Sequence, residues 1–239
     1  MRIYLLKFFN LIFSAIFVVF YPFIWIFRKI FRSLLAFKKL SIWTGVPIFN
    51  LINKSKVERK LGFRTISIVR TSYYIGDEFD FVLDQISFKN KFLSVIIEYI
   101  SFFIICLTAK QVHAYFDGGI LRQVKRGYFN PLELFAYKLL KIKLFVWTYG
   151  SDVRTQKVTH KLGEPNCCTD CIQVGKACVC IDDIGVNNFK KVSSVATQIF
   201  SMGDMIEYTP KSNNEVFFWP IDLEANFGKR YTPHFPKKN

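Results

Sequence analysis

The chain has 239 residues, is 51% hydrophobic and 18% aromatic, and carries a formal net charge of +15. That length and apolar content exclude a chain too short or too polar to bury a core, and leave room for one large domain or two small ones. The charge is uneven: residues 1–64 hold twelve Lys/Arg against one acid, Glu58, which points to a polyanion near the N-terminus.

Residues Ile3 to Phe27 form an apolar segment interrupted only by Lys7 and Asn10 among its strongly polar residues. It is long enough to span a bilayer, which needs about 20 apolar residues. Arg28, Lys29, Arg32, Lys38 and Lys39 follow it, so the positive-inside rule puts the C-terminal side in the cytoplasm. Three arrangements fit: a spanning helix, a monotopic or re-entrant anchor broken at Pro22, and a buried helix. A cleaved signal peptide fits poorly, because the stretch is too long and no small-residue cleavage site follows. Residues 1–39 are therefore expected to anchor the chain on the cytoplasmic face of the cell membrane.

An apolar run at Leu40–Thr44 ends at Gly45 and Pro47. Helical spacing over Phe49–Leu61 stops at Gly62, and the β-branched run Thr65–Val69 reads as a strand. Asp77–Gln85 and Asn90–Leu107 read as helices; Glu98 interrupts the second, which favours a helix under a sheet over a second span. Gln111–Phe116 reads as a strand ended by Asp117, Gly118 and Gly119. Leu132–Leu140 is helical, with Pro131 suited to its first turn. Ile142–Thr148 is a strand, Phe189–Val195 a helix, Thr197–Ser201 a short strand, and Glu215–Trp219 a last strand ended by Pro220. The alternation predicts an α/β fold with a doubly wound, mostly parallel sheet over residues 40–225. Ligands of such sheets lie beyond the carboxyl ends of the strands. The tripeptides after the strands are then the candidate site: Thr44-Gly45-Val46, Asp117-Gly118-Gly119, Gly150-Ser151-Asp152 and Met202-Gly203-Asp204.

Five of the six cysteines fall between Cys167 and Cys180, in an excursion over residues 163–183. Cys168 and Cys171 have the spacing of a zinc knuckle, and Cys178 and Cys180 make a tighter second pair. A structural zinc on these four thiolates, with the adjacent Cys167 an alternative to Cys168, competes with disulfides, an iron–sulfur cluster and unliganded thiols. Beside the excursion, Gly150 permits a tight turn. Ser151 and Asp152 suit a helix cap or sugar hydroxyls, and Arg154 suits phosphate or carboxylate. An ordinary strand-to-helix loop is the alternative. His113 lies inside a strand, where a core position competes with polarising an acceptor hydroxyl. No P-loop, HExxH, GxGxxG or nucleophile triad is present in the sequence. The basic residues cluster beside the apolar segment and not around the cysteines, which argues against nucleic acid as a partner.

Six segments together resemble the N-terminal half of bacterial GT-B fold glycosyltransferases of the group-1, or family 4, type found in surface-polysaccharide clusters. They are IWTGVPI (Ile42–Ile48), HAYFDGGIL (His113–Leu121), WTYGSDVRT (Trp147–Thr155), NCCTDC…GKACVC (Asn166–Cys180), SMGDMIEYTP (Ser201–Pro210) and FFWPIDLEA (Phe217–Ala225). The resemblance implies a Rossmann-like, acceptor-side domain with residues 226–239 leading toward a C-terminal donor domain that lies outside this sequence. It implies transfer of a sugar from a nucleotide-sugar to a glycan or lipid-linked acceptor, without a catalytic metal, and no activity without the donor domain. In that reading His113 and Asp152 are the catalytic candidates, and Gly45, Gly118, Gly119, Gly150, Ser151 and Arg154 bind substrate. The competing expectation is a non-catalytic, membrane-anchored module that binds a lipid-linked or polyanionic partner.

Overall fold

The structure, a computed structural model, describes residues 2–34, 39–72, 78–88, 90–169, 171 and 180–214. It is an α/β fold. Among the described residues seven strands form one sheet: β1 (Leu40–Gly45), β2 (Arg64–Val69), β3 (Phe81–Val82), β4 (Gln111–Tyr115), β5 (Lys143–Trp147), β6 (Gln198–Ser201) and β7 (Asn213–Asn214). Their order is β3-β2-β1-β4-β5-β6-β7, and every pairing is parallel. The intervening helices are α2 (Phe49–Lys60), α3 (Leu83–Ile86), α4 (Lys91–Thr108), α5 (Pro131–Leu139), α6 (Gln156–Lys161) and α7 (Asp182–Ser193), and α1 (Arg2–Ser33) precedes the sheet.

Side chains alternate across the strands with a period of two, and the two faces bury different chemistry. Ile42, Val112, Ala114, Leu144 and Val146 point into the larger core, where Phe17 and Ile24 of α1, Tyr99 and Phe102 of α4, Tyr137 of α5 and Val192 of α7 meet them. Trp43, Val69 and Tyr115 face the other way, against Leu51 and Ile52 of α2. Helices thus cover both faces.

Local signals account for most boundaries. Asn90 caps α4, its side chain accepting from Phe92 N and Leu93 N, and Asn130 caps α5 through Leu132 N with Pro131 in the first turn. Gly62 takes the positive φ that a helix end requires after α2. Glu98 does not end α4. It is buried and ion-paired with Arg122 at 2.6 Å, and α4 lies against the sheet.

Three expectations are corrected. No helix runs from 78 to 82, because Asp80 accepts from the amide and hydroxyl of Ser67 at 2.7 and 2.8 Å. That bond draws Phe81 and Val82 onto the edge of β2 as a strand, and only Leu83–Ile86 is helical. The helix expected at Phe189 begins earlier, at Asp182, where Asp182 and Asp183 sit in the first turn and complement the dipole. Pro22 does not break the first helix, which continues to Ser33. Phe17 before it and Ile24 after it are both buried in the same core, which holds the two halves in line. The strand expected at Glu215–Trp219, Cys178 and the linker 226–239 lie outside the described residues.

Candidate functional site at the carboxyl ends of the strands

After β1 the chain builds β2 and β3 on one side, then crosses to place β4 on the other. The loops following β1 and β4 therefore diverge, and a crevice opens between them. A cleft of about 820 Å³ lies there. Gly45, Val46, Pro47, Arg70, Thr71, Asp117, Gly118, Gly119, Arg122 and Gln123 line it from the sheet side. Asp84, Lys91, Phe92, Ser94 and Val95 close it from α3 and α4, and Leu5, Leu6 and Phe9 from α1.

Two glycines set the floor of the cleft. Gly45 has φ +117°, and a Cβ there would stand 2.8 Å from the carbonyl oxygen of Gly118. The backbones of β1 and the β4 loop meet with no room for a side chain. At Gly119 a Cβ would lie 2.5 Å from the Glu133 carboxylate. That carboxylate is fully buried and accepts from Ile120 N at 3.0 Å, Leu121 N at 3.2 Å and the Tyr137 hydroxyl at 2.8 Å. The loop 118–121 is thereby pinned to the first turn of α5. Burial pushes the Glu133 carboxyl up to about 7.

Asp117 is the acid that the sheet side contributes to the cleft, and Asp84 the one from α3. Asp117 Oδ2 accepts from the Tyr149 hydroxyl at 2.8 Å, while its Oδ1 is buried and has no hydrogen-bond partner among the described residues. Burial raises its pKa, with the Tyr149 bond and Arg70 opposing. A buried carboxylate oxygen left without a partner costs free energy, so the Asp117 side chain is a place where a further donor would be stabilising. Arg70 and Arg122 bring guanidinium groups to the rim and Lys91 an ammonium. Arg122 is engaged by Glu98 and by Ser94 Oγ at 2.6 Å. Among the described residues the Arg70 side chain makes no ion pair or hydrogen bond, and it is exposed. The cleft thus combines hydroxyl acceptors, cations and an apolar wall.

Gly45, Gly118 and Gly119 come together here. Gly150, Ser151 and Arg154 are on the neighbouring β5 loop, outside this lining, with Arg154 ion-paired to Asp204 at 3.2 Å and Ser151 exposed. Asp152 turns its carboxylate inward. Its Oδ1 accepts from Tyr149 N at 3.0 Å and Gly150 N at 2.9 Å, and its Oδ2 from Phe116 N at 3.4 Å. It ties the β5 turn to the end of β4, and burial together with the nearby Asp117 charge pushes it up to about 7.

His113 lies on the opposite sheet face, mid-strand and buried. Its ring stacks on Trp43 at 4.0 Å and Phe145 at 4.9 Å, its neighbours in register. Trp147 Nε1 donates to its Nδ1 at 3.2 Å, which leaves the proton on Nε2 facing Glu58 Oε1 at 3.5 Å. Burial lowers its pKa and keeps the ring neutral.

Of the zinc candidates, Cys168 is buried and Cys171 and Cys180 are partly buried, while Cys178 lies outside the described residues. Among the described residues no three His, Cys, Asp or Glu side chains are grouped to hold a metal ion. The thiols described do not by themselves form a zinc site.

Comparison with protein-family models, curated proteins and solved structures finds no match to this chain. The functional argument therefore rests on the cleft itself. Sequence reasoning had not singled out Arg70, Lys91 or Arg122, nor the distinct parts taken by Asp117 and Asp152. Arg70 follows directly on β2, and a cation one residue past a strand end is the signal that could have found it.

Proposed function

We propose that this chain is the acceptor-side, Rossmann-like part of a membrane-bound glycosyltransferase. Sugar would pass from a nucleotide-sugar to a glycan or lipid-linked acceptor held in the cleft between β1 and β4. The observation that carries the reading is the cleft's position at the reversal of strand order, with Asp117, Arg70 and Lys91 all in its lining. Hydroxyl recognition by Asp117, anion recognition by Arg70 and Lys91, and close backbone approach at Gly118 match a sugar-phosphate ligand. The six sequence segments that resemble family 4 enzymes add support, since four of them include strand ends or their following loops.

In this reading Asp117 orients the acceptor hydroxyl, and Asp152 acts as a positioning residue through Phe116 and Tyr149. The donor nucleotide is bound by a second domain, which the resemblance implies. A structural zinc on Cys168, Cys171, Cys178 and Cys180 remains a proposal from spacing alone, as does residence on the cytoplasmic membrane face. The test combines the membrane-bound chain, the donor-binding domain and labelled nucleotide-sugars with membrane lipids. Label should enter the lipid fraction only when both proteins are present. Folded chain that supports no transfer with any donor domain tried, and retains no glycolipid on a lipid overlay, would remove the reading.

A further inference from the structure

We infer that α1 docks in the plane of an anionic bilayer surface and does not cross it. The inference rests on the membrane reading above and is independent of sugar transfer.

α1 has two apolar faces, and they do different things. Phe9, Phe13, Phe17, Ile24 and Arg28 recur at helical spacing and turn toward the domain. Phe9 meets Phe92 at 5.6 Å, Phe13 stacks on Tyr99 at 4.0 Å, and Phe17 meets Phe102 at 6.1 Å. Arg28, only 3% exposed, then donates to the carbonyls of Cys106 at 2.7 Å and Ala109 at 2.8 Å. Contacts rise together along both helices, so α1 runs parallel to α4 and matches its whole length. A cation on the last carbonyls of α4 satisfies groups that the helix cannot pair itself and complements its dipole.

The opposite face is apolar and uncovered. Phe8, Leu11, Val19, Ile26 and Ile30 are 49–70% exposed and fall on one stripe. Of the polar side chains between Phe8 and Ile30, only Lys29 falls on that stripe, near its C-terminal end. Asn10 faces α4, where it accepts from the Tyr99 hydroxyl at 3.3 Å, Ser14 donates to the Asn10 carbonyl, and Arg28 is buried. Polar groups turned inward and a bare apolar stripe outward are what hydrocarbon selects, since lipid offers no hydrogen bonds. Lys7 and, past the midpoint, Lys29 and Arg32 supply charge for anionic headgroups, and α1 contains no acid.

A crossing orientation conflicts with the same contacts. The helix has 32 residues, about 48 Å at 1.5 Å per residue, against roughly 30 Å of hydrocarbon. To cross, α1 must either leave α4, exposing the Arg28 guanidinium and Asn10 to lipid, or draw α4 and the sheet behind it into the bilayer. Lying flat, it keeps every one of these bonds.

The test uses the full chain with a short protease-cleavable tag at each end, in inside-out membrane vesicles and in spheroplasts. Cleavage of both tags from the same side is expected. Cleavage from opposite sides overturns the in-plane arrangement and leaves membrane residence intact, whereas recovery of wild-type chain in the soluble fraction sinks the membrane reading itself. In vesicle flotation with the purified chain, Val19→Glu or Leu11→Glu should weaken binding to vesicles of anionic phospholipid at least about tenfold while the melting curve is unchanged. Equal flotation of the variants, or a soluble dimer that the same substitutions dissociate, would also overturn the inference.

Discussion

Asp117 and Asp152 are joined through one residue, Tyr149, which donates its hydroxyl to Asp117 at 2.8 Å and its backbone amide to Asp152 at 3.0 Å. The acid in the cleft and the acid beneath it are thus held by the same short piece of chain after β5. Substituting each should give different results, and that difference separates chemistry from architecture.

Asp117→Asn should fold with wild-type stability to within about 1 kcal/mol, because Asn Oδ1 can still accept from Tyr149. In the reconstituted transfer assay it should lose on the order of 10²-fold in kcat/KM, the scale of one positioned acid–base or orienting group. Tyr149→Phe should cost less, since it leaves the Asp117 carboxylate in place. Wild-type rates in Asp117→Asn would take this residue out of the site.

Asp152→Ala should act on stability first. It leaves the amides of Tyr149, Gly150 and Phe116 without their acceptor, a loss of about 1–3 kcal/mol in denaturant unfolding. Any fall in transfer should accompany that loss and be partly restored by Asp152→Asn. A variant as stable as wild type but inactive would instead make Asp152 a direct participant.

Glu133 and Asp152 both titrate near 7 in the folded chain, against about 4 when unfolded. For a carboxyl raised in this way the folded state holds the proton more tightly than the unfolded state. Its stabilising contribution is fully present below about pH 4 and is lost as pH rises through about 7. Urea unfolding of wild type, Glu133→Gln and Asp152→Asn between pH 4 and pH 8 would show it. Each variant should flatten part of the fall in stability across that window, and parallel profiles would contradict the assignment.

Gly45→Ala should destabilise the chain by about 1–3 kcal/mol, from a positive φ and a Cβ 2.8 Å from the Gly118 carbonyl. Gly62→Ala shares the positive φ but meets nothing within 4 Å among the described residues, so it should cost only about 1 kcal/mol. Thermal melts of the pair would isolate the contact between the two loops from backbone strain.

Sequence legibility followed the range of the forces involved. β2, β4 and β5 were readable because each is an apolar run that meets glycine or a polar turn within a few residues. The caps Asn90 and Asn130 lie beside the helices they start. β3 was read as helix, because its conformation is decided by Asp80 reaching Ser67, thirteen residues back. The three glycines of the cleft were found from strand ends alone. The cations Arg70, Lys91 and Arg122 come from three separate elements and converge only through the crossover from β1 to β4. Period-two alternation on β4 turns His113 away from the strand end, onto the sheet face that holds Trp43 and Phe145.

Glu133 reaches from α5 to occupy the space where residue 119 would carry a side chain. The floor of the cleft is therefore shaped from within the protein and cannot be altered by enlarging the residue on it. Libraries seeking a changed ligand preference would be spent poorly on positions 45 and 119, and well on the rim positions 70 and 91, which also line the cleft.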